Sequence, residues 1–253
     1  MTLINSPHLR AERVVEKREL VLRWLREELW STSEILGDVM QLKNRSGVHR
    51  TLAAMEHDNL LRRAQLPLFG RQTATLWGIT PHGVAAAYDI SEAVDSYRYF
   101  EPSRVSFTMF RHQIDLQLLR IKAERFGWKK WIPGTRLQST SPSAAKRPDA
   151  IAADSTGVIV AIEVERTLKS HKRYVTILSS YLQAIKRGEF ARVDYVSPDA
   201  LTSTRVERLL KSIKAVPVRG QHVAIDPERH FASFRFMHYD QWPTQITENQ
   251  KNE

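Results

Sequence analysis

An uncharged, mostly apolar run at residues 157–162 ends abruptly at Glu163 and Glu165, and it constrains the fold more than any other feature of the chain. Six such residues predict a buried β-strand. The turn-like Asp-Ser-Thr-Gly at 154–157 overlaps its start, so the strand that contains Asp149 is expected to fold back beside it. Because side chains alternate along a strand, Glu163 and Glu165 share one face. The sequence therefore predicts an antiparallel strand pair with carboxylates at one end.

The register of this hairpin decides whether Asp149 joins the two glutamates. A four-residue loop would place Asp149 on the face opposite Glu163, whereas a bulge or a slip of one residue would bring both to the same face. Three converging carboxylates, those of Asp149, Glu163 and Glu165, could bind one Mg²⁺ or Mn²⁺ through oxygen ligands. Such an ion activates water and neutralises charge that builds up on a phosphate, so the pattern predicts a metal-dependent nuclease centre.

Each carboxylate has an expected role in this interpretation. Asp149 and Glu163 hold the ion, and Glu165 is either a third ligand or the general base. The alternative is that the carboxylates lie at a solvated strand end and only form surface ion pairs with Arg147, Arg166 and Lys169.

The composition limits the classes of partner. The 253 residues, 42% of them hydrophobic, suffice for one large or two modest domains. A net charge of +10 favours a polyanionic partner. No stretch approaches the roughly 20 apolar residues that span a bilayer, and the N-terminus has no signal-peptide pattern, so we expect a cytoplasmic protein without membrane insertion. The lack of cysteine excludes thiolate metal sites and cysteine nucleophiles.

The first sixty residues have the periodicity of three amphipathic helices. The first helix is predicted from Ala11 to Leu29, and Ser31 or Ser33 is expected to cap the second. A turn near Lys43 leads into the third helix, from about 45 to 57, which gives helix-turn-helix spacing. The outward face of this third helix is predicted to meet phosphates and base edges of DNA through Arg45, Ser46, His49 and Arg50.

Two strands, at 60–65 and 73–79, are predicted to form a wing after these helices. Between residues 41 and 75 there are six Lys or Arg residues against two acidic ones, so the basic excess lies where a winged helix touches DNA. The alternative is a winged helix that contacts only protein. The wing residues predicted to bind DNA are Arg62, Arg63 and Arg71.

The whole chain is predicted to be a mixed α/β (α+β) protein. Residues 1–90 are expected to form a winged helix-turn-helix domain, 91–104 a linker, 105–243 a second domain and 244–253 a disordered tail. The predicted order of elements in the second domain is α-β-β-β-α-β, with a further helix and edge strands after it.

This order resembles the PD-(D/E)xK restriction-endonuclease fold, with Pro148-Asp149 on one strand and Glu163-x-Glu165 on the next. Joined to a winged helix, the chain is similar to the plasmid replication-relaxation proteins and the MOBC-class conjugative relaxases, the mobilisation protein C group. The resemblance implies a site- and strand-specific nick at a plasmid transfer origin, made with a divalent metal and without a tyrosine-linked intermediate. It also implies double-stranded plasmid DNA as a partner, together with an accessory mobilisation protein or a coupling protein.

The chain departs from the nuclease pattern at one position, because Glu165 replaces the expected lysine. Lys169 and Lys172 are three residues apart at the start of the next predicted helix and share a face, so either could supply the missing ammonium. Lys172 is favoured, since it lies in the family-like Lys-x-Tyr stretch. Tyr174 and Tyr181, seven residues apart, are the candidates for a tyrosine nucleophile, although this spacing is more typical of core packing.

Two other functions compete with a nickase. A DNA-binding regulator or replication accessory protein could carry an inactive nuclease-like domain, and the missing lysine favours this hypothesis. A double-strand endonuclease would share the same site but would need paired protomers. A histidine-based relaxase is disfavoured, because no two of the nine histidines have His-x-His spacing.

Overall fold

The computed structural model describes residues 6–68, 70, 72–89, 91–92, 97–137 and 146–243. These residues form a mixed α/β protein that divides into two compact units, residues 1–117 and 118–253. The helices are α1 Pro7–Glu28, α2 Ser33–Val39, α3 Arg45–His57, α4 Pro81–Ala86, α5 Phe110–Arg125, α6 His171–Lys186, α7 Ala200–Lys211 and α8 Pro227–Phe231. The strands are β1 Trp30–Ser31, β2 Leu61–Pro67, β3 Thr73–Ile79, β4 Lys129–Pro133, β5 Ala150–Ala153, β6 Ile159–Val164, β7 Arg192–Ser197, β8 Ala215–Val218, β9 Gln221–Ala224 and β10 Phe234–His238.

The first unit contains the three predicted helices in order. Helix α3 has the predicted bounds, and Asn44 caps it by accepting the backbone N–H of Ser46 at 2.9 Å. Its inward stripe, Val48, Leu52 and Met55, is buried. The predicted cap of α2 was wrong, because the side chain of Thr32 accepts the capping hydrogen bond while Ser31 lies in β1.

A β-hairpin follows, as predicted. Strands β2 and β3 pair antiparallel from Leu61 opposite Ile79 to Pro67 opposite Thr73, and β1 adds a third strand beside β3. Thr80 then caps α4 by accepting the N–H of Gly83 at 2.9 Å. Arg71 lies outside the described residues.

The division between the two compact units falls at Gln117, inside α5, whereas the sequence predicted a linker at residues 91–104. The N–H of Phe100 donates to the carbonyl of Ile79 at 2.8 Å, and its ring packs over Gly78. The side-chain amide of Gln117 donates to the carbonyl of Trp30 at 2.8 Å. These contacts attach residues 97–117 to the first unit. The polar residues in this segment interrupt the apolar periodicity, so the sequence pattern did not predict the attachment. Positions 93–96 of the predicted linker lie outside the described residues.

The second unit is built on a five-stranded mixed sheet in the order β10-β7-β6-β5-β4. The neighbours β4, β5 and β6 pair antiparallel, whereas β6, β7 and β10 pair parallel. One face packs on α6 and α7 through a core that includes Tyr181, Val193 and Val206. From α5 to β7 the elements follow the predicted α-β-β-β-α-β order. The predicted tail, 244–253, lies outside the described residues.

The hairpin of β5 and β6 has the register that brings the carboxylates together. Ala153 pairs with Ile159 and Ala150 with Ile162, so the loop has five residues, one more than the four-residue case. Asp154 fixes this loop by accepting the backbone N–H of Val158 at 3.0 Å. Continuing the register one step beyond β5 places Asp149 opposite Glu163, and therefore on the same face.

No helix in the described parts of the chain combines the length and the apolar character that crossing a membrane requires.

Candidate functional site

The backbone around Asp149 holds its carboxylate at the end of β6. The N–H of Asp149 donates to the carbonyl of Ile162 at 3.1 Å, and Asp149 Oδ2 accepts the N–H of Val164 at 2.9 Å. On the other side, the N–H of Gly134 donates to the carbonyl of Asp149 at 2.8 Å. A Cβ at Gly134 would lie 2.2 Å from the carbonyl oxygen of Pro148, so only glycine permits this close approach.

Glu163 is a buried carboxylate with two side-chain donors. It is 1% exposed and stands in register with Tyr195 of β7. Its Oε1 accepts a hydrogen bond from Lys146 Nζ at 2.8 Å and another from the hydroxyl of Tyr181 on α6. Lys146 Nζ also lies 3.7 Å from Asp149 Oδ1, so one ammonium bridges the two carboxylates.

The charges in this cluster shift each other's titration. Burial, and then the charge of Asp149, raise the pKa of Glu163 to about 7, although Lys146 acts in the opposite direction. Burial works against the charge on Lys146, but Glu163 and Asp149 outweigh it and raise the pKa of this ammonium above its ordinary value. Near neutral pH the Glu163 carboxyl is therefore poised between its two protonation states, while Lys146 stays charged.

Glu165 lies in a separate ion pair. It is 3% exposed, and its side chain accepts a hydrogen bond from Lys169 Nζ. The alternative of a solvated strand end does not hold for Glu163 and Glu165, because both are buried, although Glu165 does form the ion pair with Lys169 that this alternative predicted. Lys172, the favoured candidate for the site lysine, is an exposed residue in the first turn of α6.

The two tyrosines of α6 are core residues. Tyr174 and Tyr181 are both fully buried. Burial raises the pKa of each hydroxyl above its ordinary range. The Tyr174 hydroxyl accepts the N–H of Lys169 at 3.3 Å, and that of Tyr181 donates to Glu163. A nucleophile must reach a phosphate as its anion, so these surroundings disfavour both residues in that role.

The donor set fits a metal that keeps several of its waters. Among the described residues, no group of three or more Asp, Glu and His side chains is arranged to hold a metal ion. Mg²⁺, however, is usually bound through only one or two carboxylates and completes its shell with water and substrate phosphate. Asp149 and Glu163 supply two such carboxylates. The buried hydroxyl of Tyr195, beside Glu163, has no hydrogen-bond partner within the described ranges, and an unpaired buried hydroxyl favours a polar occupant nearby.

Sequence reasoning missed Lys146. It precedes Asp149 by three residues and follows the segment 138–145, which lies outside the described residues. No periodicity marks it, because it belongs to neither strand of the hairpin. The only sequence signal was that Lys146 lies close to Pro148-Asp149 along the chain. Such closeness does not show whether a lysine side chain faces inward.

The predicted DNA-contacting face of α3 is exposed. Arg45, Ser46, His49 and Arg50 are all exposed, and Arg45 has only a loose ion pair, 3.9 Å from Glu34. Burial, then the charges of Arg13 and Arg50, lower the pKa of Lys17 on α1.

The hairpin presents its two arginines to different sides. Arg62 and Arg63 are consecutive residues of β2, so their side chains point to opposite faces. Arg63 lies over the ring of Trp77 and 3.8 Å from Glu56. If the hairpin entered a DNA groove, only one of these two arginines could therefore point toward the DNA from a given face of the hairpin.

Comparisons with known proteins find little similarity to this chain. No protein-family model matches the sequence, and no curated protein matches it. A solved structure of a mutant of ZitR from Lactococcus lactis, in apo form, is 20% identical over 32% of this chain and 58% of that chain, with a TM-score of 0.26. The chain thus spans less than two thirds of that protein, and a likeness of this size carries no argument.

Proposed function

We propose that this chain is a metal-dependent DNA nickase, a site- and strand-specific relaxase that acts at a plasmid transfer origin. The observation that carries the proposal is the pairing of the buried Glu163 with the half-buried Asp149 around a single ammonium. Removing these three charges from most of the surrounding water is costly. Binding a cation between these two carboxylates and a phosphate is a function that would explain why the carboxylates lie together.

The chemistry proposed is hydrolysis. Mg²⁺ or Mn²⁺ at the carboxylate pair would activate water and offset the negative charge of the phosphate. The oxygen of a water molecule bonds to phosphorus as one P–O bond to a sugar breaks; the water gives up a proton to solvent, and the departing sugar oxygen takes one up. Asp149 and Glu163 would hold the ion through their carboxylate oxygens. Tyr181 fixes Glu163 by its hydrogen bond rather than acting as a nucleophile.

The first unit supplies DNA binding in this proposal. The order of α1, α2, α3 and the β2–β3 hairpin supports a winged helix-turn-helix, with the exposed basic face of α3 in the major groove. The second unit, with one carboxylate directly before β5 and another near the end of β6 as in the PD-(D/E)xK resemblance, supports cleavage. The partners proposed are double-stranded plasmid DNA in the cytoplasm and an accessory mobilisation or coupling protein.

A specific observation favours a second function, a DNA-binding regulator whose nuclease-like domain is inactive. Both glutamates at the end of β6 are paired with lysines, Glu163 with Lys146 and Glu165 with Lys169. Such pairing can be a purely structural use of the carboxylates. A regulator would bind its DNA equally well in EDTA and in Mn²⁺, whereas a nickase needs the ion.

The test is nicking of a supercoiled plasmid that carries candidate transfer-origin DNA, in Mg²⁺, Mn²⁺ or EDTA. Asp149→Asn and Glu163→Gln keep the shape of each side chain but remove its charge, and Glu207→Gln makes the same change in an exposed surface pair as a control. Tyr174→Phe tests covalent catalysis. The proposal expects metal-dependent open circles that disappear with either site variant and persist with Glu207→Gln and Tyr174→Phe.

Each other outcome has a defined meaning. Loss of nicking in Tyr174→Phe, with a tyrosine-linked DNA end, would replace hydrolysis by covalent catalysis. Sequence-specific binding without any nick, unchanged by metal, would support the regulator. Linear plasmid as the first product would support a double-strand endonuclease.

A further inference from the structure

Lys146 occupies the position between Asp149 and Glu163. Its Nζ is 2.8 Å from Glu163 Oε1 and 3.7 Å from Asp149 Oδ1, and it also donates to the carbonyl of Arg147 at 2.7 Å. The side chain is 20% exposed, so its ammonium can reach solvent by rotating along its four-carbon stem. It is the cation that the two carboxylates share in this structure.

We propose that Lys146 is the lysine of this site, and that it exchanges with the divalent ion. This inference rests on the proposed function. In it, the side chain of Lys146 takes two positions. Without metal, its ammonium neutralises the carboxylate pair. When a divalent ion binds to Asp149 and Glu163, the ammonium leaves them and contacts the phosphate of the DNA.

Charge repulsion favours this exchange. Glu163 Oε1 accepts hydrogen bonds from both Tyr181 and Lys146, so an ion that bound at this oxygen would replace one of these donors. At about 4 Å an ammonium and a divalent ion repel in a partly buried site, so the ion would replace the charged ammonium rather than the neutral hydroxyl.

The other lysines are less suited to the role. Lys169 is held by Glu165, and releasing it would leave that buried carboxylate without its cation. Lys172 is exposed on α6. Lys146 is the one placed against both proposed ligands, and a compact ammonium of this kind suits a phosphate oxygen.

Metal affinity provides a readout that does not depend on cleavage. Lys146→Met removes the ammonium that competes with the ion for Asp149 and Glu163. Binding of Mn²⁺, measured by the electron paramagnetic resonance of free Mn²⁺, should tighten about tenfold. Lys211→Met, a change in an exposed pair of the same unit, is the matched control and should bind Mn²⁺ like the wild type.

DNA affinity tests the second position of Lys146. In Ca²⁺, used as a non-cleaving substitute, Lys146→Met should bind a labelled duplex of the candidate origin more weakly than the wild type, whereas in EDTA the two should bind alike. Where the wild type nicks, Lys146→Met should nick about 100-fold more slowly, the usual loss for removing one group that stabilises a developing anion. Circular dichroism checks the fold, and Lys146→Gln is the second variant.

The outcomes separate this inference from the proposed function. Unchanged Mn²⁺ affinity in Lys146→Met overturns the exchange. Tighter Mn²⁺ binding with unaltered DNA affinity in Ca²⁺ overturns the phosphate contact and leaves Lys146 as a counterion. A wild type that never nicks refutes the nickase, yet the Mn²⁺ and Ca²⁺ measurements still decide whether Lys146 exchanges with an ion. Loss of nicking in Lys172→Met but not in Lys146→Met assigns the site lysine to α6.

Discussion

Replacing Glu163 by glutamine should change how the stability of the second unit depends on pH. The carboxyl is buried beside Asp149, and its pKa is about 7 instead of the ordinary 4.5. The folded chain therefore holds the proton of Glu163 more tightly than the unfolded chain does. Its contribution to stability is complete below pH 4.5 and is lost as pH rises through 7. The variant is neutral throughout and lacks this dependence.

The magnitude follows from the two pKa values. Their difference corresponds to about 3 kcal/mol, at about 1.36 kcal/mol for each pH unit. The difference in free energy of unfolding between Glu163→Gln and the wild type should therefore move by about 3 kcal/mol in favour of the variant between pH 4 and pH 8. Constant offsets, such as a weaker contact with Lys146, do not affect this change.

Urea unfolding followed by tryptophan fluorescence, at intervals from pH 4 to pH 8, measures the effect. Both proteins share every other titrating group, so only their difference is interpreted. Glu207→Gln, at an exposed surface pair, should run parallel to the wild type. A Glu163→Gln curve that also runs parallel would refute the reasoning, because it would mean that Glu163 ionises as a solvated carboxyl does.

Three further predictions concern the loop, the first unit and DNA binding. Asp154→Ala should lower the free energy of unfolding by about 3 kcal/mol in urea, because the carboxylate accepts the N–H of Val158 and pairs with Arg192 at 2.7 Å; an effect below that of a surface aspartate would contradict the assigned role. Gly78→Ala would place a Cβ 2.0 Å from the ring of Phe100, and should destabilise the first unit by about 1–3 kcal/mol, measured by thermal unfolding. Arg50→Ala should weaken duplex binding and make the slope of log affinity against log salt shallower by about 0.9, and unchanged titrations at several salt concentrations would remove α3 from the DNA interface.

Local patterns in the sequence were sufficient to predict several of the helices and strands. The bounds of α3 were predicted from a turn near Lys43 and from an apolar stripe with a helical period, and the cap by Asn44 agrees with them. The β2–β3 hairpin and the order of elements from α5 to β7 also agree with prediction. These features depend on interactions between residues close in sequence, which a periodicity records.

The division between the two units could not be predicted from local patterns in the same way. Residues 97–117 look like a linker and the start of a new helix, yet Phe100 and Gln117 bind the backbone of β3 and β1. The ring of Phe110, which stacks on Trp30, adds to this attachment. These contacts join residues distant in sequence and produce no repeating pattern, so only the folded chain identifies the partners.

For the carboxylate site, the sequence determined which residues could meet, and the tertiary structure decided which of them do. Strand alternation predicted Glu163 and Glu165 on one face, but the face of Asp149 depended on a loop of five residues rather than four. The structure also placed Lys146 between Asp149 and Glu163 and gave Lys169 to Glu165. Side-chain period follows from backbone geometry alone, whereas register and ion pairing depend on the packing of segments distant in sequence, and that packing forms only when the whole unit folds.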